Sequence, residues 1–269
     1  MGIKAYQLLG RIKWGVALQP VYEAVLGVAL TAMNVGPGNT DATSGETFVL
    51  HGVKARHAGH APVVVFDVGA NVGHYTAHVI DIFGDAAHIY AFEPSPSTYA
   101  LLARNVAPHS DTVHAYNVGL GSTDGPAPFF QDEKGGSTIA SLYESNLARG
   151  YATVREEIVM LRTIDAFCRE EGIMHIDFLK IDVEGHELDV LRGARVMIES
   201  GAIDLIQFEF GMADIGSRTF LRDFFDFFEG RYRLYRVVRN GLYPLPRYRE
   251  IYEVFFNSTN YVAERLASQ

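Results

Sequence analysis

The chain has 269 residues, enough for one large domain or two small ones, and its 48% hydrophobic and 12% aromatic content argues against disorder. A net charge of −9 disfavours nucleic-acid binding, whose affinity comes mainly from Lys and Arg on phosphates. The single cysteine, Cys168, rules out an intrachain disulfide and a cysteine-based zinc site, and fits a reducing cytoplasm.

Residues 1–35 read as one or two helices broken at Pro20. The apolar run from Trp14 to Val35 follows Lys4, Arg11 and Lys13, as a signal anchor would, but Gln19, Pro20 and Glu23 interrupt it. Only 24–34 stays free of charge, well short of the roughly 20 residues of a spanning helix. The expectation is a helical extension over 1–43 that packs on the domain or on a second subunit, with no transmembrane span. It leaves a homodimer and contact with a membrane surface open.

Gly36-Pro37-Gly38-Asn39 marks a turn. Ser44, with Glu46 in the first turn, opens a helix to about Arg56, and 57–62 is a loop. From 44 to 269 the chain reads as one domain of alternating strands and helices. Strand one covers 63–67, and a helix over about 72–83 ends at Gly84. Strand two covers 88–92, Ser97 can cap a helix to about Asn105, and strand three covers about 112–117.

The glycine-rich stretch Gly119 to Gly125 leads to an extra strand at Phe129-Phe130. Gly135-Gly136-Ser137-Thr138 reads as a hinged lid, 141–150 as weakly helical, and Glu157 to Leu161 as extended. Thr163 caps a helix through Glu171. Strand four is Ile176 to Ile181, a helix from about His186 to Leu191 stops at Gly193, and strand five runs from Ile203 to Phe208. Phe220 to Phe228 is an aromatic, mostly core helix face. Tyr232 to Val238 and Asn260 to Glu264 form a closing antiparallel pair. The fold class is α/β: a doubly wound, mostly parallel seven-stranded sheet with helices on both faces. A switch point between strands one and four puts the ligand crevice over the strand C-termini.

Two stretches carry the chemistry. In the first, Val63 to Ser95, strand one ends in Asp67, and a turn with Gly69, Asn71 and Gly73 follows. Glycines let that backbone turn sharply and approach a ligand. Glu93, 20 residues after Gly73, ends strand two, where a carboxylate can accept both hydroxyls of a ribose. The turn reads GxNxG rather than the phosphate-gripping GxGxxG, and Asp67 would repel a pyrophosphate. Both features suit a cationic sulfonium, hence S-adenosylmethionine, over NAD.

In the second stretch, Asp177 to Ala194, Lys180 lies inside a central strand, where a lysine is unusual unless paired. Phe178, Lys180 and Asp182 share one side by alternation. Asp182, Glu184, His186 and Glu187 crowd the strand's end, and Glu209 should open onto the same crevice. Such a cluster beside a cofactor site suggests proton transfer or metal binding; the plain alternative is a structural Lys180–Asp182 ion pair and a helix-capping His186. Weaker leads are His74 and His78 on the first helix, His57 and His60 in a loop that could touch an acceptor, and Tyr143, read as a packed surface tyrosine.

With these motifs the chain resembles the FkbM family of S-adenosylmethionine-dependent methyltransferases, of class I fold. The resemblance rests on FDVGANVG (66–73), AFEP (91–94) and above all FLKIDVEG (178–185), supported by Ser44-Gly45-Glu46 and Ile206-Gln207-Phe208-Glu209. It covers about residues 44–210. It implies O-methylation of hydroxyls on sugars, glycoconjugates or natural products.

By position, Asp67, Gly69, Ala70, Asn71 and Gly73 would line the methionine part, with Tyr75 and Thr76 in the first helical turn. Glu93 would hold the ribose, with Pro94 and Ser95 beside it, and Asn117 and Val118 would flank the adenine. Lys180, Asp182, Glu184 and His186 would face the transferred methyl. An aliphatic hydroxyl needs a base or a metal. His186 or Glu184 is expected to take the proton while Asp182 and Glu209 orient; those two carboxylates with a histidine can alternatively hold Mg2+. The competing functions are a non-catalytic S-adenosylmethionine-binding protein and an NAD(P)-dependent oxidoreductase.

Overall fold

The computed structural model describes residues 16–36, 44–57, 62–132, 140–143 and 154–267. Its first helix, α1 (Gln19–Ala32), follows one 3₁₀ turn. Pro20 does not break it. The proline sits in the first turn, where an N–H would have no intrahelical partner. No residue of α1 is buried, and Val21, Val25, Leu26 and Val28 are exposed. The chain meets the domain just beyond, where Asn34 Nδ2 donates to Ser44 O and Val237 O and Gly36 bridges to Ser258. Among the described residues no helix is long and apolar enough to cross a membrane.

α2 (Glu46–Arg56) starts one residue later than expected: Gly45, not Ser44, is its N-cap, and Ser44 Oγ accepts from Glu46 N. β1 (Val63–Val68), α3 (His74–Phe83), β2 (Ala87–Phe92), α4 (Pro96–Val106) and β3 (Val113–Tyr116) follow. Ser95, not Ser97, holds the cap position of α4. Next come β4 (Gly119–Leu120), β5 (Gly125–Asp132), β6 (Ala140–Ser141) and β7 (Val154–Arg162). In α5 (Ile164–Glu171) Thr163 is the expected cap, its Oγ1 accepting from Ala166 N. The chain continues through β8 (Ile176–Ile181), α6 (Glu187–Gly193), α7 (Arg195–Glu199), β9 (Ile203–Gly211), α8 (Asp214–Ser217) and α9 (Leu221–Phe228). It closes with β10 (Tyr232–Val238), β11 (Gly241–Leu245) and β12 (Ser258–Arg265).

Eight strands form one sheet in the order β11-β10-β12-β9-β8-β1-β2-β3. The five from β9 to β3 are parallel, and β12 and β10 are antiparallel. This is the expected doubly wound sheet with one strand more. β11 folds back on β10 at the edge, the one place where Pro244, lacking an N–H, does not break a ladder.

Side-chain alternation sorts the core onto two faces. Leu179, Ile181, Ile206 and Phe208 pack under α5, α6 and α9, and Phe208 stacks on Phe224 at 4.5 Å. Val63, Val65, Phe178 and Leu205 pack under α2, α3 and α4. Each such burial contributes about 1.5–3 kcal/mol. Within α9, Phe224 and Phe228 are core, whereas Phe220 at the cap is exposed.

β4, β7, β5 and β6 form a separate four-stranded sheet, where the expectation was one extra strand and an extended segment. Residue 141 is strand rather than helix. The rest of the expected helix (144–150) and the Gly135–Thr138 lid lie outside the described residues.

Candidate active site

β1 and β8 are neighbours whose onward connections lead to opposite faces, so a crevice opens over their C-terminal ends. It is a cavity of about 910 Å³. The turn after β1, Glu93 and Pro94 after β2, the end of β8 through Glu187, and the end of β9 line one side. Leu120, Phe129, Gln131 and Leu161 of the small sheet line the other.

The turn needs its glycine. Gly69 has φ +84°, and a Cβ there would stand 1.9 Å from Asp182 O. Gly69→Ala is expected to cost about 2–3 kcal/mol, from left-handed strain plus displaced backbone. A denaturant midpoint equal to that of the parent would contradict this. Gly69 N and Ala70 N both donate to Phe92 O, which straps the turn to β2.

Glu93 is the centrepiece of that side. Its Oε2 accepts from Asn71 N (3.1 Å) and its Oε1 from Ser95 N (2.9 Å). Burial pushes it up to about 7, against those two hydrogen bonds. Each oxygen keeps a second lone pair, and Glu93 lines the cavity.

Not every expected residue reaches the cavity. Gly69, Ala70, Asn71, Tyr75, Glu93, Pro94, Lys180, Asp182, Glu184, His186 and Glu209 line it. Asp67 does not: it is buried and accepts a 2.6 Å hydrogen bond from Thr76 Oγ1. Burial pushes Asp67 up to about 6, opposed by Thr76 and by Lys180. Thr76 is consumed by that bond, Gly73 abuts Leu102, and Ser95 supports Glu93 through its backbone. Asn117 does not line the cavity because its amide donates to Glu93 O and Pro94 O. Val118 packs in the core, and Gly119 and Leu120 line the wall in their place.

Lys180 is buried at 2% exposure with Nζ 3.0 Å from Asp182 Oδ2, 3.8 Å from Glu46 Oε1 and 5.2 Å from the Tyr75 ring. Burial works against its charge, but Asp182, Glu46 and Glu209 outweigh it and hold the ammonium above its ordinary value. The ion pair with Asp182 is therefore real, and it faces the cavity. A polar belt extends it: Gln207 Nε2 donates to Glu46 Oε1 and Asn260 Oδ1, and Asn260 Nδ2 donates to Glu209 Oε1.

Glu187, read only as a member of the acid cluster, and Asp214, which was not singled out, also line the site. Glu187 Oε1 accepts from Val183 N and Gly185 N, pinning a turn in which Glu184 has φ +53°. Asp214 accepts from Gly211 N. Burial first, then mutual repulsion, pushes Glu209 up to about 8 and Glu187 up to about 7, and raises Glu184 and Asp214 well above the carboxylate range.

His186 departs from the expected partners. Its Nδ1 lies 3.2 Å from Tyr143 Oη and 3.4 Å from Asp189 Oδ2, not beside Asp182 or Glu209. Its Nε2 is buried without a hydrogen-bond partner. Burial lowers its pKa, so the ring is neutral near pH 7. Asp182 and Glu209 share the cavity, but among the described residues they do not join a third side chain whose ligand atoms meet on one ion. The Mg2+ expectation thus finds no ligand set there. His57 is also misplaced as an acceptor contact: it pairs with Asp177, at the other end of the sheet. His60 lies outside the described residues.

The raised carboxyls set a pH dependence. In the folded protein Asp67, Glu93, Glu187 and Glu209 keep protons that the unfolded chain releases near 3.8 to 4.5. Stability is therefore present at mildly acidic pH and is lost as pH rises from 4.5 toward 8. His186, neutral when folded, opposes this below 6.5 as one group against four. Urea unfolding is expected to show a gain on the order of a few kcal/mol between pH 8 and pH 5.5. Equal or lower stability at pH 5.5 would contradict it.

Residues 67–237, from the end of β1 into β10, match the family model of the methyltransferase FkbM domain. The chain belongs to the FkbM methyltransferase family. The match contains the glycine turn, Glu93 and the whole Lys180–His186 cluster. This FkbM chain is 34% identical over 173 residues to methyltransferase sdnD of Sordaria araneosa, covering 55% of the chain and 66% of the relative. It is 31% identical over 152 residues to the hexuronic acid methyltransferase AglP of Haloferax volcanii (55% and 57% covered). To the 2-O-methyltransferase NoeI of Sinorhizobium fredii it is 28% identical over 141 residues (49% and 57%). The chain thus spans less than two thirds of these relatives' own length. Among solved structures, it aligns with an FkbM methyltransferase from Methylobacillus flagellatus KT at a TM-score of 0.47 and 16% identity, covering 75% of this chain and 43% of that one.

Proposed function

We propose that the protein moves a methyl group from S-adenosylmethionine to a hydroxyl of a sugar, glycoconjugate or related natural product. One observation carries the reading: Glu93 and the side chain of His186, neutral near pH 7, line one cavity. The cofactor fits the donor set. Glu93, at the tip of β2 beside the left-handed turn, suits the two hydroxyls of a ribose. Among the described residues, seven carboxyl groups, Glu46, Glu93, Asp182, Glu184, Glu187, Glu209 and Asp214, line the cavity, and its single ammonium, Lys180, is already paired with Asp182. Even with Glu184, Glu187, Glu209 and Asp214 held toward their protonated forms, these residues leave no free cation for a pyrophosphate, whereas a sulfonium meets acid oxygens.

S-adenosylmethionine, when bound, supplies an electrophilic methyl on a good leaving group. The protein's part is to align the acceptor, exclude water and take a proton. His186 Nδ1 faces Asp189 and Tyr143, and Nε2, packed beside Gly121 without a hydrogen-bond partner, is the nitrogen left to take the hydroxyl proton. Glu209 and Glu184, raised toward their protonated forms, orient the acceptor's other oxygens as hydrogen-bond donors. The relatives named as a hexuronic acid methyltransferase and a 2-O-methyltransferase support a carbohydrate hydroxyl.

The test is mass spectrometry of reactions with S-adenosylmethionine and a panel of hexuronic acid glycosides and other polyols. A +CH2 product is expected, with S-adenosylhomocysteine released in equal amount. Binding of the cofactor without methylation of any hydroxyl would contradict the reading. Glu93→Gln is expected to weaken S-adenosylmethionine binding by about tenfold or more, the loss of one charged hydrogen-bond acceptor. Calorimetry showing unchanged affinity would remove Glu93 from the ribose site.

A further inference from the structure

A second group of side chains gathers at the opposite end of the sheet. Asp177 and Asp204 are the second residues of β8 and β9, and His57 closes α2. Among the described residues, His57, Asp177 and Asp204 are a trio whose ligand atoms all lie within 4.8 Å of one another. His57 Nε2 stands 3.0 Å from Asp177 Oδ1. A fourth donor, His175 Nε2, stands 3.1 Å from Asp204 Oδ2 and 3.6 Å from Asp177 Oδ1.

The outer partners make this more than a surface cluster. His57 Nδ1 lies 2.9 Å from Val53 O. A carbonyl can only accept, so Nδ1 carries a proton and Nε2 is the ring atom that faces a carboxylate oxygen. A proton on Nε2 or a metal ion between the two atoms satisfies that 3.0 Å contact. Asp177 Oδ2 accepts from Val64 N, which leaves Oδ1 for the centre. Asp204 Oδ1 accepts from Arg265 Nε and Nη2, which leaves Oδ2. Each of the three thus spends one atom on a fixed outer partner and points the other inward. This is how metal-binding histidines and carboxylates are held.

We propose that His57, Asp177 and Asp204 bind one divalent transition-metal ion of the zinc type, with a water or the partly exposed His175 in the fourth position. One imidazole nitrogen and two carboxylate oxygens with such a fourth ligand are a donor set that zinc accepts in tetrahedral geometry. The site ties the end of α2 to the starts of β8 and β9, away from the cavity, so the ion's role there is structural.

The test uses the full chain, stripped with EDTA and dialysed. Calorimetry with zinc chloride is expected to show one ion per chain, and zinc is expected to raise the thermal midpoint. His57→Gln and Asp177→Asn should each weaken zinc binding by about tenfold or more. Asp177→Asn keeps an oxygen for Val64 N, so it retains the strand contact. X-ray absorption at the zinc edge should report nitrogen and oxygen ligands with imidazole scattering, and anomalous diffraction from the wild-type chain should place the ion between His57 and Asp204 even if a variant fails to fold. No zinc binding at millimolar metal would mean that a protonated imidazole alone bridges the carboxylates, and would overturn the proposal. So would an anomalous peak elsewhere, or zinc affinity unchanged in both variants.

Discussion

Replacing His186 with alanine is expected to lower turnover by about 10²- to 10⁴-fold, the contribution of a positioned base, with S-adenosylmethionine affinity nearly unchanged. The split follows from the geometry. His186 is held by Asp189 and Tyr143, while the glycine turn and Glu93 occupy a different wall. Burial lowers the pKa of His186, so turnover in the parent should be flat above neutrality and fall on the acid side with a midpoint below 6.5. In the alanine variant that limb should disappear. Stopped-time assays across pH, with calorimetry for the cofactor, measure both. Full turnover in the variant would remove His186 as the base. An Asp189→Asn variant that lowers kcat and moves the acid limb would identify Asp189 as a positioning residue.

Lys180→Met is expected to cost about 3–5 kcal/mol of stability near pH 8, the usual penalty for stripping one partner from a buried ionic group. Methionine keeps the stem, so the loss is electrostatic. It leaves Asp182, Glu46 and Glu209 facing one another without the ammonium that offsets them. Because the folded protein raises Lys180 above its ordinary 10.5, its contribution is complete throughout the neutral range and is lost only in strong alkali. The acids respond differently. Without Lys180 their protonation becomes more favourable still, so acidification to pH 5.5 should restore much of the variant's stability. Urea midpoints at the two pH values report both effects. A variant as stable as the parent at pH 8 would show that the ion pair contributes nothing net.

Local chemistry explains which parts of this site could be read from the residues. The glycine turn, Glu93 and the paired Lys180 are short-range patterns: a left-handed backbone, a strand tip, and side-chain alternation in a buried strand. Glu46 was visible only as a first-turn acid, because its partners Lys180 and Gln207 lie far along the chain. Asp67 could be placed at the end of β1, but which way it faces depends on Thr76, nine residues later in the first turn of α3. Asn117 looked like a ligand contact, and its amide is spent on two backbone carbonyls.

The small sheet escaped notice because β5 begins Gly125-Pro126-Ala127-Pro128, a composition that reads as loop. β11 hid behind Pro244 for the same reason. Glu187 and Asp214 hold backbone N–H groups, a role that no spacing announces.

In the proposed reaction one cavity holds Glu93 against the ribose of S-adenosylmethionine and His186 on the side of the transferred methyl. A crystal structure with S-adenosylhomocysteine tests it directly. The ribose hydroxyls should lie within hydrogen-bonding distance of Glu93, and the sulfur should face the wall formed by Asp182, Glu184 and His186. A nucleoside seated away from Glu93, or a sulfur directed away from His186, would contradict the account.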